Sequence, residues 1–138
     1  MPSIVRSDAV EGCLRRLLTQ DCFKLTTPKR NGETGVDIIA TRRAKRFHVE
    51  AVGFKSQSPA RSRDYYEAFF RAISRVKDGA TRCVIALPSR AGHGLPQRAS
   101  HYGIAWQRLG QAFPELQIWL VDVDQPSYTK TAWSEGLK

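Results

Sequence analysis

The chain is poor in the residues that build disulfide-stapled or membrane-embedded proteins. Its three cysteines among 138 residues lie at positions 13, 22 and 83. The number is odd and the spacing wide, which excludes a disulfide framework and a CxxC metal knuckle. Each has apolar neighbours, so all three are expected to be reduced core thiols. No run approaches the ~18 consecutive apolar residues needed to cross a bilayer. The start Met1–Arg6 lacks the apolar stretch of a signal peptide. A cytoplasmic protein with no membrane contact is expected. Walker, GxGxxG, GxSxG and HExxH patterns are also missing, so nucleotide-driven, dinucleotide-dependent and common hydrolase mechanisms have no support.

Acidic residues are scarce as well, 13 against 22 Lys and Arg, for a net charge of +9. The excess sits mid-chain. Residues 38–63 carry seven bases (42, 43, 45, 46, 55, 61, 63) and one acid, and residues 71–108 carry seven bases and one acid, whereas 109–138 are net −2. A basic balance of this kind can simply keep a small protein in solution. Its clustering makes nucleic acid the natural partner class; DNA is expected over RNA only on the resemblance given below, and a homodimer is left open. The length suits one domain, taken as 1–125 with a C-terminal tail over 126–138.

Hydrophobic periodicity orders the elements. Ser7 and Asp8 are N-cap types before Val10, Leu14, Leu17 and Leu18, predicting a helix over 8–19. Strands are predicted at 22–26, 35–41 and 46–54, the first two joined by a turn at Pro28–Gly32. Residues 55–63 read as a loop containing Pro59, before a helix capped near Ser62 or Asp64 whose stripe is Tyr65, Phe69, Ala72, Ile73 and Val76. The apolar runs 83–87 and 116–122 read as buried strands. Between them a single helix opens at Pro96, with Tyr102, Trp106, Leu109 and Phe113 on one stripe. The order α-β-β-β-α-β-α-β implies an α/β fold, a mixed central sheet of about five strands flanked by helices.

Two carboxylates interrupt apolar strands. Gly35-Val-Asp37-Ile and Phe47-His-Val-Glu50-Ala-Val52-Gly53 each place an acid where a solvated charge is unexpected. A hairpin can bring Asp37 and Glu50 side by side, where they repel unless something positive bridges them. A hard divalent cation, Mg²⁺ or Mn²⁺, is the simplest bridge; pairing of each acid with an arginine is the alternative.

These residues resemble the core of the PD-(D/E)xK, restriction-endonuclease-like nucleases, whose usual pattern is G-x-D, a strand pair, then E-x-K-G. The resemblance covers about residues 7–122. It implies a restriction-endonuclease-like fold, with Asp37 and Glu50 as metal ligands, the Ala51 carbonyl as a further ligand, and Glu11 where many members carry an additional acid. The chain departs from the pattern at the motif lysine, which is Val52. An ammonium there would orient the attacking water and neutralise developing phosphate charge. Lys55, Lys24 or a base on the helix beginning near Asp64 could substitute. The resemblance thus implies a DNA-directed, metal-dependent endonuclease with Asp37, Glu50 and Lys55 in catalysis. The alternative is a catalytically inactive DNA-binding or protein-interaction module. Arg42, Arg43, Lys45, Arg61, Arg63 and Arg71 are the expected nucleic-acid contacts, with Arg75, Arg90 and Arg98 as further candidates. Tyr66 and Phe70 lie off the helical stripe and could stack on bases, and His48 shares the Glu50 face. His93 and His101 read as surface residues.

Overall fold

The computed structural model describes residues 4–27, 37–54, 58–78 and 80–133. The expected turn at 28–32, Lys55 and the side chains of His93 and Arg98 lie outside what it describes. Helix α1 spans Ser7–Gln20 and buries Val10, Cys13, Leu14 and Leu18 on one side. Arg6 is its N-cap residue, with no side-chain capping bond, so Ser7 and Asp8 fall inside the first turn. The helix ends in a Schellman arrangement, the Phe23 N–H donating to Leu18 O and the Cys22 N–H to Thr19 O. That geometry needs a left-handed residue, and Cys22 supplies it at φ 70. Cys22 is exposed, against the expectation of a core thiol, because it lies past the end of α1, whereas Cys13 and Cys83 are buried as expected.

The strands are β1 (Lys24–Leu25), β2 (Ile38–Arg42), β3 (Lys45–Ala51), β4 (Arg82–Pro88), β5 (Leu116–Asp122) and β6 (Ser127–Ala132). They form one six-stranded sheet in sequential order. β1–β2, β2–β3 and β5–β6 are antiparallel, and β3–β4 and β4–β5 are parallel. The parallel pairs require crossovers, supplied by α2 (Ser58–Ser74) and then by α3 (Leu95–Tyr102) and α4 (Ile104–Ala112). Right-handed crossovers between strands added in one direction place their helices on one face, and α1 covers the other. The chain is thus a mixed α/β fold with two cores. One joins Val52, Cys83, Ile85 and Ile118 to Tyr65, Phe69 and Ala72 of α2 and Trp106 of α4. The other joins Ile38, Ala40, Phe47, Val49, Val84, Ala86 and Trp119 to α1.

The sheet has six strands where about five were expected, and three further expectations are corrected. Helix α2 begins at Ser58, so Pro59 is not in a loop but in the first turn, where its missing N–H has no intrahelical partner to lose. The single helix from Pro96 is two, broken at Gly103 with φ +52, which leaves Tyr102 exposed rather than in the stripe with buried Trp106. The residues expected to form a tail include β6, paired with β5 from Asp122↔Ser127 to Gln117↔Ala132. Beyond that strand Trp133 stacks on Trp106 at a 3.9 Å ring separation. Each indole N–H donates to the other residue's carbonyl. Among the described residues no helix is long and apolar enough to cross a membrane.

Candidate functional site

The β2–β3 ladder pairs Ile38 with Val49, and carrying that antiparallel register on by one residue sets Asp37 across from Glu50. Ile38 and Val49 point to the α1 core, so their neighbours share the opposite, α2-facing side. Glu50 is 3 % exposed there. Asp37 is half-buried, and its carboxylate accepts a 2.9 Å hydrogen bond from the Ala51 N–H. A strand residue's N–H and C=O point the same way, so the Ala51 carbonyl faces the flank on which Asp37 sits. The structure therefore brings Asp37, Glu50 and Ala51 together.

Glu11 is held differently. Its carboxylate pairs with Arg15 at 2.8 Å, and Arg15 also donates to the backbone carbonyls of Asp37 and Thr26. Glu11 thus orients the arginine that ties α1 to the start of β2. Among the described residues no group of three or more His, Cys, Asp and Glu side chains is placed to hold a metal. The donor set of Asp37, Glu50 and the Ala51 carbonyl is all oxygen, with two carboxylates, which suits a Mg²⁺-type ion that keeps several waters. The residues present fit such an ion.

A cleft of about 370 Å³ opens beside Glu50 between β3, α2 and the N-terminal segment. Its walls include Glu50, Val52, Asp64, Glu67 and Arg71. Asp64, Glu67, Ala68 and Arg71 are spaced i, i+3, i+4 and i+7 and so share one face of α2. That spacing is visible in the sequence, but only the pairing of α2 with β3 shows that the face looks onto Glu50 rather than outward. Arg71 lines the same cleft as Glu50 and Val52, its side chain largely exposed at the rim and in weak 3.5 Å contact with Glu67. Val52 is 6 % exposed and packs with the α2 core, so an apolar side chain occupies the motif-lysine position. Gly53 lets the N-terminal segment close the cleft, because a Cβ there would lie 2.4 Å from the Val5 carbonyl oxygen. The neighbouring Phe54 forms a two-bond bridge with Val5.

The expected nucleic-acid contacts divide between two ends of the sheet. Arg61 lies over the Phe54 ring at 4.5 Å, and Arg90, from the turn after β4, lies at 5.1 Å from the same ring. Both therefore stand at the end where β3 delivers Glu50, the carboxyl ends of the parallel strands, where open α/β sheets gather their ligands. Arg63 borders a shallow groove on the outer side of α2 with Tyr66 and Phe70, the latter 67 % exposed, and Arg71 stands at the rim between this groove and the cleft. Arg42, Arg43 and Lys45 instead surround the β2–β3 turn, five residues or ~16 Å along the strand from Asp37. Lys24 pairs with Thr41, four residues or ~13 Å from Asp37 along β2, which removes it from the site. His48 is buried under α2, and His101 is exposed.

Comparisons of the chain with protein-family models, with curated proteins and with solved structures return no match.

Proposed function

We propose that this protein is a nucleic-acid-directed, divalent-metal-dependent phosphodiester hydrolase of restriction-endonuclease-like architecture, acting on DNA. The observation that carries the reading is the β2–β3 register, which sets Asp37 across from Glu50, with the Asp37 carboxylate accepting from the Ala51 N–H. Two carboxylates that meet on one side of a sheet draw positive charge to it, and all-oxygen donors select a hard cation. Asp37, Glu50 and the Ala51 carbonyl would hold Mg²⁺ or Mn²⁺. When bound, such an ion polarises a phosphate and lowers the pKa of a bound water. Arg61 and Arg90 on Phe54 supply fixed positive charge for the backbone at the same end of the sheet. Arg71 stands in the cleft with Glu50, where a guanidinium can neutralise charge developing on a phosphate but, being permanently protonated, cannot act as a base.

One observation favours a second reading, a DNA-binding module that does not cleave: Val52 is packed into the core where the motif carries its lysine. The test is conversion of supercoiled plasmid to nicked and linear forms by the purified protein with Mg²⁺, Mn²⁺ or EDTA. The hydrolase reading expects metal-dependent nicking that EDTA abolishes. Binding without nicking under either metal leaves the second reading, and nicking in EDTA removes the Asp37–Glu50 pair from the mechanism.

A further inference from the structure

Strand alternation puts a second set of cations on the opposite face of the sheet, at its far end. Arg42 shares the side of Ile38 and Ala40, and Lys45 that of Phe47 and Val49. Arg82 is the ladder partner of Phe47, and Lys130 that of Trp119. The four come from β2, β3, β4 and β6. Aromatic rings lie beneath them. The Lys130 ammonium is 5.1 Å from the Phe47 and Trp119 rings, 5.3 Å from Phe23 and 5.9 Å from Tyr128. Arg42 covers Phe23 at 4.4 Å, and Arg82 lies 5.8 Å from Phe47. Lys45, Arg82 and Lys130 border a cleft of about 360 Å³ with Gln117 and Thr131.

Charge is poorly compensated here. Among the described residues none of the four makes an ion pair. Arg42 donates to the backbone carbonyl of Asp21, while the Asp21 carboxylate accepts the Tyr128 hydroxyl. The Lys130 pKa is pushed down by burial first, then by repulsion from Arg42 and Lys45, with Asp21 opposing. Like charges held this close are a cost to the free protein that an anion would relieve. We propose that Arg42, Lys45, Arg82 and Lys130 form a second docking surface, for the phosphate backbone of a nucleic acid.

The distribution selects that ligand. Four cations drawn from four strands span the sheet, which suits an extended polyanion better than one phosphate. Phe23, Phe47 and Trp119 are buried, and Tyr128 is half-buried with its hydroxyl donated to Asp21, so the rings seat cations rather than stack on a base. Contact is therefore with phosphates and independent of base sequence. The inference shares only its ligand class with the proposed hydrolase reading, because these residues stand at the other end of the sheet from Asp37.

The test is a salt titration of mixed-sequence duplex DNA in EDTA, comparing wild type with Lys45→Gln/Arg82→Gln, Arg42→Gln/Lys130→Gln and, at the opposite end, Arg61→Gln/Arg63→Gln. Each far-end pair is expected to weaken binding and to flatten the slope of log K against log salt by ~0.9 for each phosphate no longer neutralised. Lys45→Gln/Arg82→Gln leaves the ring cluster around Lys130 whole, so its effect is separable from unfolding, which thermal melts report. Unchanged affinity and slope in both far-end pairs, with melts intact, overturns the surface. Weakening confined to Arg61→Gln/Arg63→Gln also overturns it, while leaving the cleft reading in place. Weakening in the far-end pairs, in a protein that shows no nicking with metal, sustains this surface without the hydrolase.

Discussion

The Asp37 carboxylate and the Ala51 backbone N–H are joined by a 2.9 Å hydrogen bond that spans the open end of the β2–β3 hairpin. The residue read as a metal ligand is therefore also a structural clasp, and its two roles separate chemically. Asp37→Ala removes the acceptor as well as the charge, and loss of a hydrogen bond to a charged group costs about 1.5–3 kcal/mol. Asp37→Asn keeps an oxygen acceptor for Ala51 but withdraws the charge a divalent ion needs. Urea denaturation is expected to show a clear loss for Ala and a loss under ~1 kcal/mol for Asn, with metal-dependent nicking abolished in both. Nicking at the wild-type rate by a stable Asp37→Asn protein would remove the carboxylate from metal binding.

Gly53 is fixed by a close approach rather than by its backbone angles. A methyl group there would stand 2.4 Å from Val5 O and 2.8 Å from Ser7 N, both main-chain atoms that cannot swing aside. Gly53→Ala is expected to cost about 1–3 kcal/mol, the range for overpacking a tight site. It should also release the Val5–Phe54 bridge. Hydrogen exchange of the Val5 and Phe54 amides checks this: protection equal to wild type would show that the segment accommodates the methyl.

The Asp37–Glu50 relationship was legible because the alternation of apolar and polar residues in 47–50 sets the parity of β3, and a hairpin with the apolar run 38–40 brings the acid before that run beside Glu50. The two cores follow from the same pattern together with crossover handedness. What escaped has physical reasons. Ser127–Ala132 is an edge strand whose side chains are largely exposed, so burial leaves little apolar signature in its sequence. Pro59 is ambiguous in sequence, because proline is as much at home in the first turn of a helix as in a loop. Tyr102 is in helical phase with Trp106 along the chain, but the break at Gly103 rotates one segment against the other. Arg82 and Lys130 register as separate charges along the chain and become neighbours only through Phe47, which lies between β2 and β4 in the sheet.

Cys22 is the one cysteine both exposed and held at positive φ. Cys22→Gly is expected to raise stability by roughly 0.5–1 kcal/mol, because glycine adopts the left-handed C′ position without a Cβ penalty. In the native protein a thiol reagent should modify a single cysteine, and none in the variant. Two or more fast-reacting thiols in folded wild type would contradict the burial of Cys13 and Cys83.

Burial, reinforced by nearby Glu115, pushes the Cys83 thiol from 9.0 up to about 11. Between those values the unfolded chain has released a proton that the folded one keeps. Stability must then fall as pH rises from about 9 to 11. Lys130 acts in the opposite sense, since its lowered pKa means that the folded state holds fewer protons. The informative quantity is therefore the difference between Cys83→Ala and wild type. Urea midpoints at pH 8 and 11 should show the wild type losing more than the variant, and parallel losses would contradict the buried-thiol account.

Val52 decides between the two functional readings. Its side chain points to the α2 face, as Glu50 does, and it lines the cleft with Glu50, Asp64, Glu67 and Arg71. A lysine placed there meets three carboxylates and one guanidinium, so its ammonium has partners and the usual penalty for burying a lone charge is reduced. It also displaces an apolar side chain that packs with Tyr65, Ala68 and Phe69. Val52→Lys is therefore expected to fold with a loss of about 1–3 kcal/mol. If cleavage was lost with the motif lysine, the substitution should create Mg²⁺-dependent nicking in a protein that otherwise only binds. If Arg71 has taken over the charge-neutralising role, wild type should nick already. Arg71→Gln should then lower that rate by at least ~10-fold, the scale of removing a single transition-state donor being 10²–10³. The assay runs wild type, Val52→Lys and Arg71→Gln in parallel, with DNA binding and melting followed in each. Nicking absent from all three, with fold and binding retained, would leave the chain as a binding module and take the Asp37–Glu50 pair out of catalysis.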